Sequence, residues 1–82
     1  MILEKTYYPT VGLSFITDAS IVYAKMLFVA RSGVEFNVDT VALNEDGGNY
    51  CLYTASTGTI NFNPDQPFIS GESINIIYDT NP

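Results

Sequence analysis

The chain has 82 residues, 46% of them apolar, with six tyrosines, five phenylalanines, one cysteine, no histidine and a formal net charge of −6. That length supports one core, so residues 1–82 are read as a single domain with no room for a two-domain cleft. Nine carboxylates against three cations repel phosphate backbones and anionic lipid, which argues against nucleic acid and membrane surfaces as partners.

From the N-terminus, Ile2 to Tyr8 reads as an extended segment stopped by Pro9, and residues 1–12 are expected to form an edge strand or an extended arm. Edges and arms are natural places for another chain to pair. Tyr7 and Tyr8 are adjacent, so an extended backbone sends them to opposite faces and one of them outward. The start of the chain has no charged segment followed by an apolar one, so no signal peptide is expected. The longest apolar run, Met26 to Ala30, is far short of the roughly 20 residues that span a bilayer.

The segment Ile21 to Ala30 has two readings. Asp18 as an N-cap and Gly33 as a stop fit a helix of about three turns. The apolar run Leu27 to Val29, followed by Arg-Ser-Gly and then an alternating segment, fits a turn and a strand leading into a hairpin, which is preferred. Val34, Phe36 and Val38 then alternate with polar residues as one face of a strand. Beyond Asp39 the apolar set moves to odd positions, Val41 and Leu43, which a strand does only through a bulge or bend, so a kink is expected at Asp39-Thr40.

Asn44 to Asn49 is rich in Asn, Asp and Gly, and is read as the tip of a hairpin leading to Tyr50 and Tyr53. Its oxygen ligands also suit calcium, but their spacing departs from the EF-hand loop, and a solvated turn is the preferred reading. Cys51 lies in a strand-like stretch, has no disulfide partner and behaves as a small buried hydrophobe, consistent with folding in a reducing cytoplasm. Ile60 and Phe62 alternate with polar neighbours. Ile74, Ile76 and Tyr78 form one face of a last strand whose other face carries Ile77, so that strand is expected to be central or covered on both sides. Turn residues punctuate the chain at roughly ten-residue intervals, the signature of a sandwich or barrel. The fold class is therefore all-β, a small antiparallel sandwich of immunoglobulin, fibronectin or jelly-roll type, with a short helix near Ile21 to Ala30 as the one alternative element.

Histidine, the commonest general base and metal ligand, is absent, which removes most hydrolase designs. A Ser or Thr nucleophile would have to use Lys5 or Lys25 as its base, and neither sits in a motif. No catalytic residue, metal site or cofactor is expected. The tyrosines suit interfaces or sugar stacking, and Tyr7, Tyr8 and Tyr50 are the candidate contact residues.

Three segments carry a resemblance: Leu27-Phe-Val-Ala-Arg-Ser-Gly33, then Tyr53 through Gly58-Thr-Ile-Asn-Phe62, then Phe68-Ile-Ser-Gly71-Glu72 running into Ile74 to Tyr78. Their order resembles small β-sandwich modules in the virion proteins of tailed bacteriophages, the crAss-like group in particular. The resemblance implies a non-enzymatic structural protein of the virion, made in the host cytoplasm: a capsid auxiliary or decoration protein, or a head-fibre-associated one. A chain starting at Met1 and stopping shortly after Tyr78 favours a stand-alone protein over a fibre repeat. Its expected partners are the major capsid or fibre proteins, or like copies in a symmetric oligomer. The alternative is a carbohydrate-binding or adhesion module in a receptor-binding assembly.

Overall fold

The computed structural model describes residues 1–44 and 48–80. Seven strands follow one another: β1 (Ile2–Tyr7), β2 (Phe15–Thr17), β3 (Lys25–Arg31), β4 (Val34–Asp39), β5 (Tyr50–Thr54), β6 (Thr59–Asn61) and β7 (Ile74–Asp79), with one 3₁₀ turn at Ala19–Ile21. The chain is all-β, as its alternation dictates. Hydrogen bonds join the strands into one seven-stranded sheet of order β1-β7-β3-β4-β5-β6-β2. The sheet curls into a half-barrel, sandwich-like in that both ends contribute to one core. Ile16, Ile60, Ile74, Ile76, Phe62 and Phe68 all lie in that core and are buried.

The preferred reading of Ile21 to Ala30 holds. Asp18 caps the 3₁₀ turn by accepting from the Ser20 amide at 2.9 Å, but the turn ends at Ile21 and β3 begins at Lys25. The buried Tyr53 hydroxyl stabilises this exit by donating to the Ile21 carbonyl and accepting from the Ala24 amide. Burial raises the Tyr53 pKa, and the hydrogen bond from Ala24 offsets part of that rise.

The β3–β4 hairpin turns on Ser32 and Gly33, both at positive φ (49° and 83°), between paired Arg31 and Val34. That is the two-residue turn whose twist matches the flanking strands. β7 is central, flanked by β1 and β3, with Ile74 and Ile76 fully buried beneath it. β1 is an edge strand, paired only with β7.

Two expectations fail around residues 39–50. β5 pairs with β4 in parallel, Asn37 against Tyr50 and Asp39 against Leu52, so the expected hairpin there and the all-antiparallel sheet are both corrected. The connection 40–49 is long enough to carry the chain back to the start of the pairing, and the Asn37 amide donates to the Asn49 carbonyl at 2.7 Å to fix it. The chain does bend after Asp39, but the strand ends there instead of continuing past a kink, and Val41 is 94% exposed. Its odd-position apolar residues belong to the connection, so they never had to alternate. The calcium reading of Asn44 to Asn49 involves residues 45–47, which lie outside those described.

β4 is the hinge of the sheet. Its first half, Val34 to Phe36, pairs with β3, and its second half, Asn37 to Asp39, pairs with β5. Two four-stranded leaves thus share one strand and close over the core.

Candidate functional site

The segments that carry the resemblance meet at one buried node. Arg31, at the end of β3, places its guanidinium 4.8 Å from the Phe68 ring centre and 5.5 Å from that of Phe62. It donates from Nε and Nη2 to the two carboxylate oxygens of Glu72, at 2.7 and 2.8 Å, and from Nη2 to the Pro67 carbonyl at 3.3 Å. Glu72 also accepts from the Ile69 amide at 2.8 Å. The hydrogen bonds from Arg31 outweigh burial and lower the Glu72 pKa. Phe62 sits edge-on to both Phe36 and Phe68, with ring centres 5.2 and 5.6 Å away. This fork-on-fork pair, flanked by aromatic faces, is a geometry only arginine supplies.

Gly58, from the same set of segments, also has a packing reason. It lies under the 3₁₀ turn at φ +65°, where an added Cβ would be 2.3 Å from the Asp18 carbonyl oxygen.

The node positions a cleft. The Gly12 amide donates to the Phe68 carbonyl at 2.9 Å, the Phe68 amide to the Leu13 carbonyl at 2.7 Å, and the Phe62 amide to the Ser14 carbonyl at 2.7 Å. These bonds hold loop 10–14 against the two phenylalanines that Arg31 braces. Between this loop, β2 and the end of β1 is an open cleft of about 500 Å³, lined by Thr6, Tyr7, Tyr8, Pro9, Thr10, Leu13, Phe15, Ile16 and Thr17. None of these residues is charged, in a chain with nine carboxylates. Tyr8 is 82% exposed and Leu13 and Phe15 each 41%.

A polar brace shares Tyr7 with the cleft. Lys5, opposite core-facing Ile76 in the β1–β7 register, is paired with Asp18 just after β2, and also donates to Ser20 Oγ at 3.0 Å. The Tyr7 hydroxyl donates to Asp18 at 2.7 Å, and Ser20 Oγ donates to Asp18 at 2.8 Å. Burial alone pushes the Asp18 carboxyl up, but the hydrogen bonds from Lys5, Ser20 and Tyr7 outweigh it and hold the group well below the usual carboxylate range. Burial, followed by the bond to Asp18 and its charge, raises Tyr7 well above an ordinary phenol. Ser20 Oγ accepts from Lys5 Nζ and donates to Asp18, so both of these bonds of the hydroxyl belong to the brace. A charged residue on the core-facing side of an edge strand also discourages strand addition, so Lys5 guards the β1 edge. Apolar surface is exposed in the cleft beside that edge.

Two of the three candidate contact residues meet at the cleft: Tyr7 lines it with its hydroxyl bonded to Asp18 of the brace, and Tyr8 lines it as the outward, exposed member of the pair. Tyr50 starts β5, on the far side of β6 from β2, with its ring against Gly48. Leu13 and Phe15 were missed, because single apolar residues on either side of Ser14 carry the same pattern whether they enter a core or border a cleft.

Among the described residues, no group of three or more His, Cys, Asp or Glu side chains is placed to hold a metal ion, and no helix is long and apolar enough to cross a membrane. Comparison with protein-family models, curated proteins and solved structures finds no match for this chain.

Proposed function

We propose that this chain is a non-enzymatic binding and assembly module that docks on other protein surfaces through the cleft between β1 and β2. The observation that carries this reading is the uncharged, aromatic lining of that cleft on a strongly acidic molecule, with Tyr8, Leu13 and Phe15 exposed. Interface centres are depleted of charge and enriched in aromatic residues. The backbone bonds to Phe62 and Phe68 hold the cleft's loop in place, so little ordering would be needed on binding.

The particular setting proposed is a bacteriophage virion, with the capsid shell, fibre proteins or like copies as partners. The support for that setting is the resemblance of the three segments. Arg31, Gly58, Phe62, Phe68 and Glu72 also have structural reasons to be where they are, so another sandwich built on the same node would read similarly. The exposed Tyr8 ring also suits stacking on a sugar, the basis of the adhesion reading.

Light scattering separates these readings. The solution mass is measured for the protein alone, with empty capsids of a crAss-like phage, and with a panel of oligosaccharides. A closed oligomer, or a monomer that binds capsids saturably, is the expected result. A monomer that ignores capsids and binds a sugar would replace the assembly reading with the adhesion one.

A further inference from the structure

A second hollow lies where the sheet divides. β4 leaves β3 after Phe36 to pair with β5, while β3 pairs with β7 along its whole length, so the first residues of β3 and the last of β4 separate. The space between them is about 410 Å³, within the range of small-ligand sites, which favour the mouths of barrels. Met26, Val38 and Tyr53 line it, and the small side chains of Ala24 and Ala55 leave it unfilled. Tyr53 lines it while its hydroxyl is engaged by Ile21 and Ala24. The remaining lining residues are Lys25 and Thr40.

Lys25 is the one cationic residue among the described residues that line this hollow. Of the three cationic side chains, Lys5 is paired with Asp18 and Arg31 with Glu72. Lys25 has no ion pair among the described residues. Its cross-strand neighbour Asp79 is engaged by the Met1 ammonium at 3.0 Å. Among the described residues, the one cationic side chain outside an ion pair therefore borders an apolar hollow.

We propose that this hollow binds a small amphipathic anion, a short alkyl chain ending in a carboxylate, with the chain among Met26, Val38, Tyr53, Ala24 and Ala55 and the carboxylate at Lys25. This site is separate from the cleft between β1 and β2 and does not depend on the function proposed for that cleft.

The test is an NMR titration of the intact protein with octanoate, octan-1-ol and octylammonium. Octanoate is expected to bind saturably at one site, shifting the methyl signals of Ala24, Val38 and Ala55, and octylammonium to bind more weakly than octanol. Lys25→Gln, an exposed position that leaves the fold intact, lowers octanoate affinity two- to fivefold, the range of a partly exposed ion pair, and leaves octanol unchanged. Ala55→Leu fills the hollow and abolishes binding of both. The proposal is overturned by absence of saturable octanoate binding, by shifts centred elsewhere, or by an octanoate affinity that Lys25→Gln does not change.

Discussion

Removing either partner of the Arg31–Glu72 pair should cost more than removing both. The two side chains are only 10% and 13% exposed, and the pair has bidentate geometry. Glu72→Gln leaves a buried guanidinium with the Pro67 carbonyl and two aromatic faces, and Arg31→Met leaves a buried carboxylate with the Ile69 amide. Breaking a buried pair in this way costs about 3–5 kcal/mol, whereas replacing both partners with uncharged side chains of similar size is often neutral. A domain of 82 residues has roughly 4–12 kcal/mol of stability in total, so each single variant loses a large part of it. In the double variant Arg31→Met/Glu72→Gln, the thioether keeps the contact with Phe62 and Phe68 and the amide oxygen remains an acceptor for the Ile69 N–H. The double variant should therefore cost less than either single and fall short of their sum by at least about 3 kcal/mol. Urea unfolding followed by circular dichroism measures all four proteins. With a slope near 1 kcal/mol/M, a 3 kcal/mol loss moves the midpoint by about 3 M. Additive single and double values, or singles costing under about 1 kcal/mol, would show that the node does not hold this part of the fold together.

Gly58 and Gly71 both sit at positive φ, but only Gly58 would drive a Cβ into backbone. Gly71→Ala should cost about 1 kcal/mol and Gly58→Ala at least twice that, in the same urea assay. The folded-state pKa values of Asp18 and Glu72 are both lowered, so the stability they contribute is fully present above their unfolded values near 4 and is lost as pH falls further. Thermal midpoints should therefore drop steeply below about pH 4, and Asp18→Asn should flatten that drop; an unchanged acid limb would rule out Asp18 as a contributor. Cys51 is fully buried, and its thiol is pushed up to about 12 by burial and then by the nearby Asp39 charge. A thiol reagent at pH 8 should label it only at the rate of opening of the structure, and rapid stoichiometric labelling would contradict the placement of Cys51 in the core.

Much of the sheet was legible because period-2 alternation is a local property. Val34 to Val38 and Ile74 to Tyr78 both gave their strands from side-chain type alone, and Ile77 on the second face marked β7 as central. The turn at Ser32-Gly33 was legible for the same reason. Pairing direction is not local. Nothing in Tyr50 to Thr54 distinguishes a strand antiparallel to β4 from one parallel to it, and the turn-rich connection before it invited the shorter solution. The brace and the node were also hidden. Lys5 meets Asp18 across thirteen residues and Arg31 meets Glu72 across forty-one, so only the fold brings them together. Arg31 did carry one signal, as the only arginine in the chain at the end of an apolar strand, where an unpaired charge would not be tolerated.

A docking role for the cleft between β1 and β2 is decided by comparing a variant inside the cleft with one outside it. Leu13→Ser/Phe15→Ser removes apolar contact area from the cleft, while Val41→Ser removes a more exposed apolar residue outside it. Binding of each to empty phage capsids is measured by co-sedimentation, with unfolding midpoints confirming that both remain folded. The cleft variant is expected to lose at least tenfold in affinity, and Val41→Ser to bind like the parent. Equal binding by all three proteins would show that the cleft is not the contact surface.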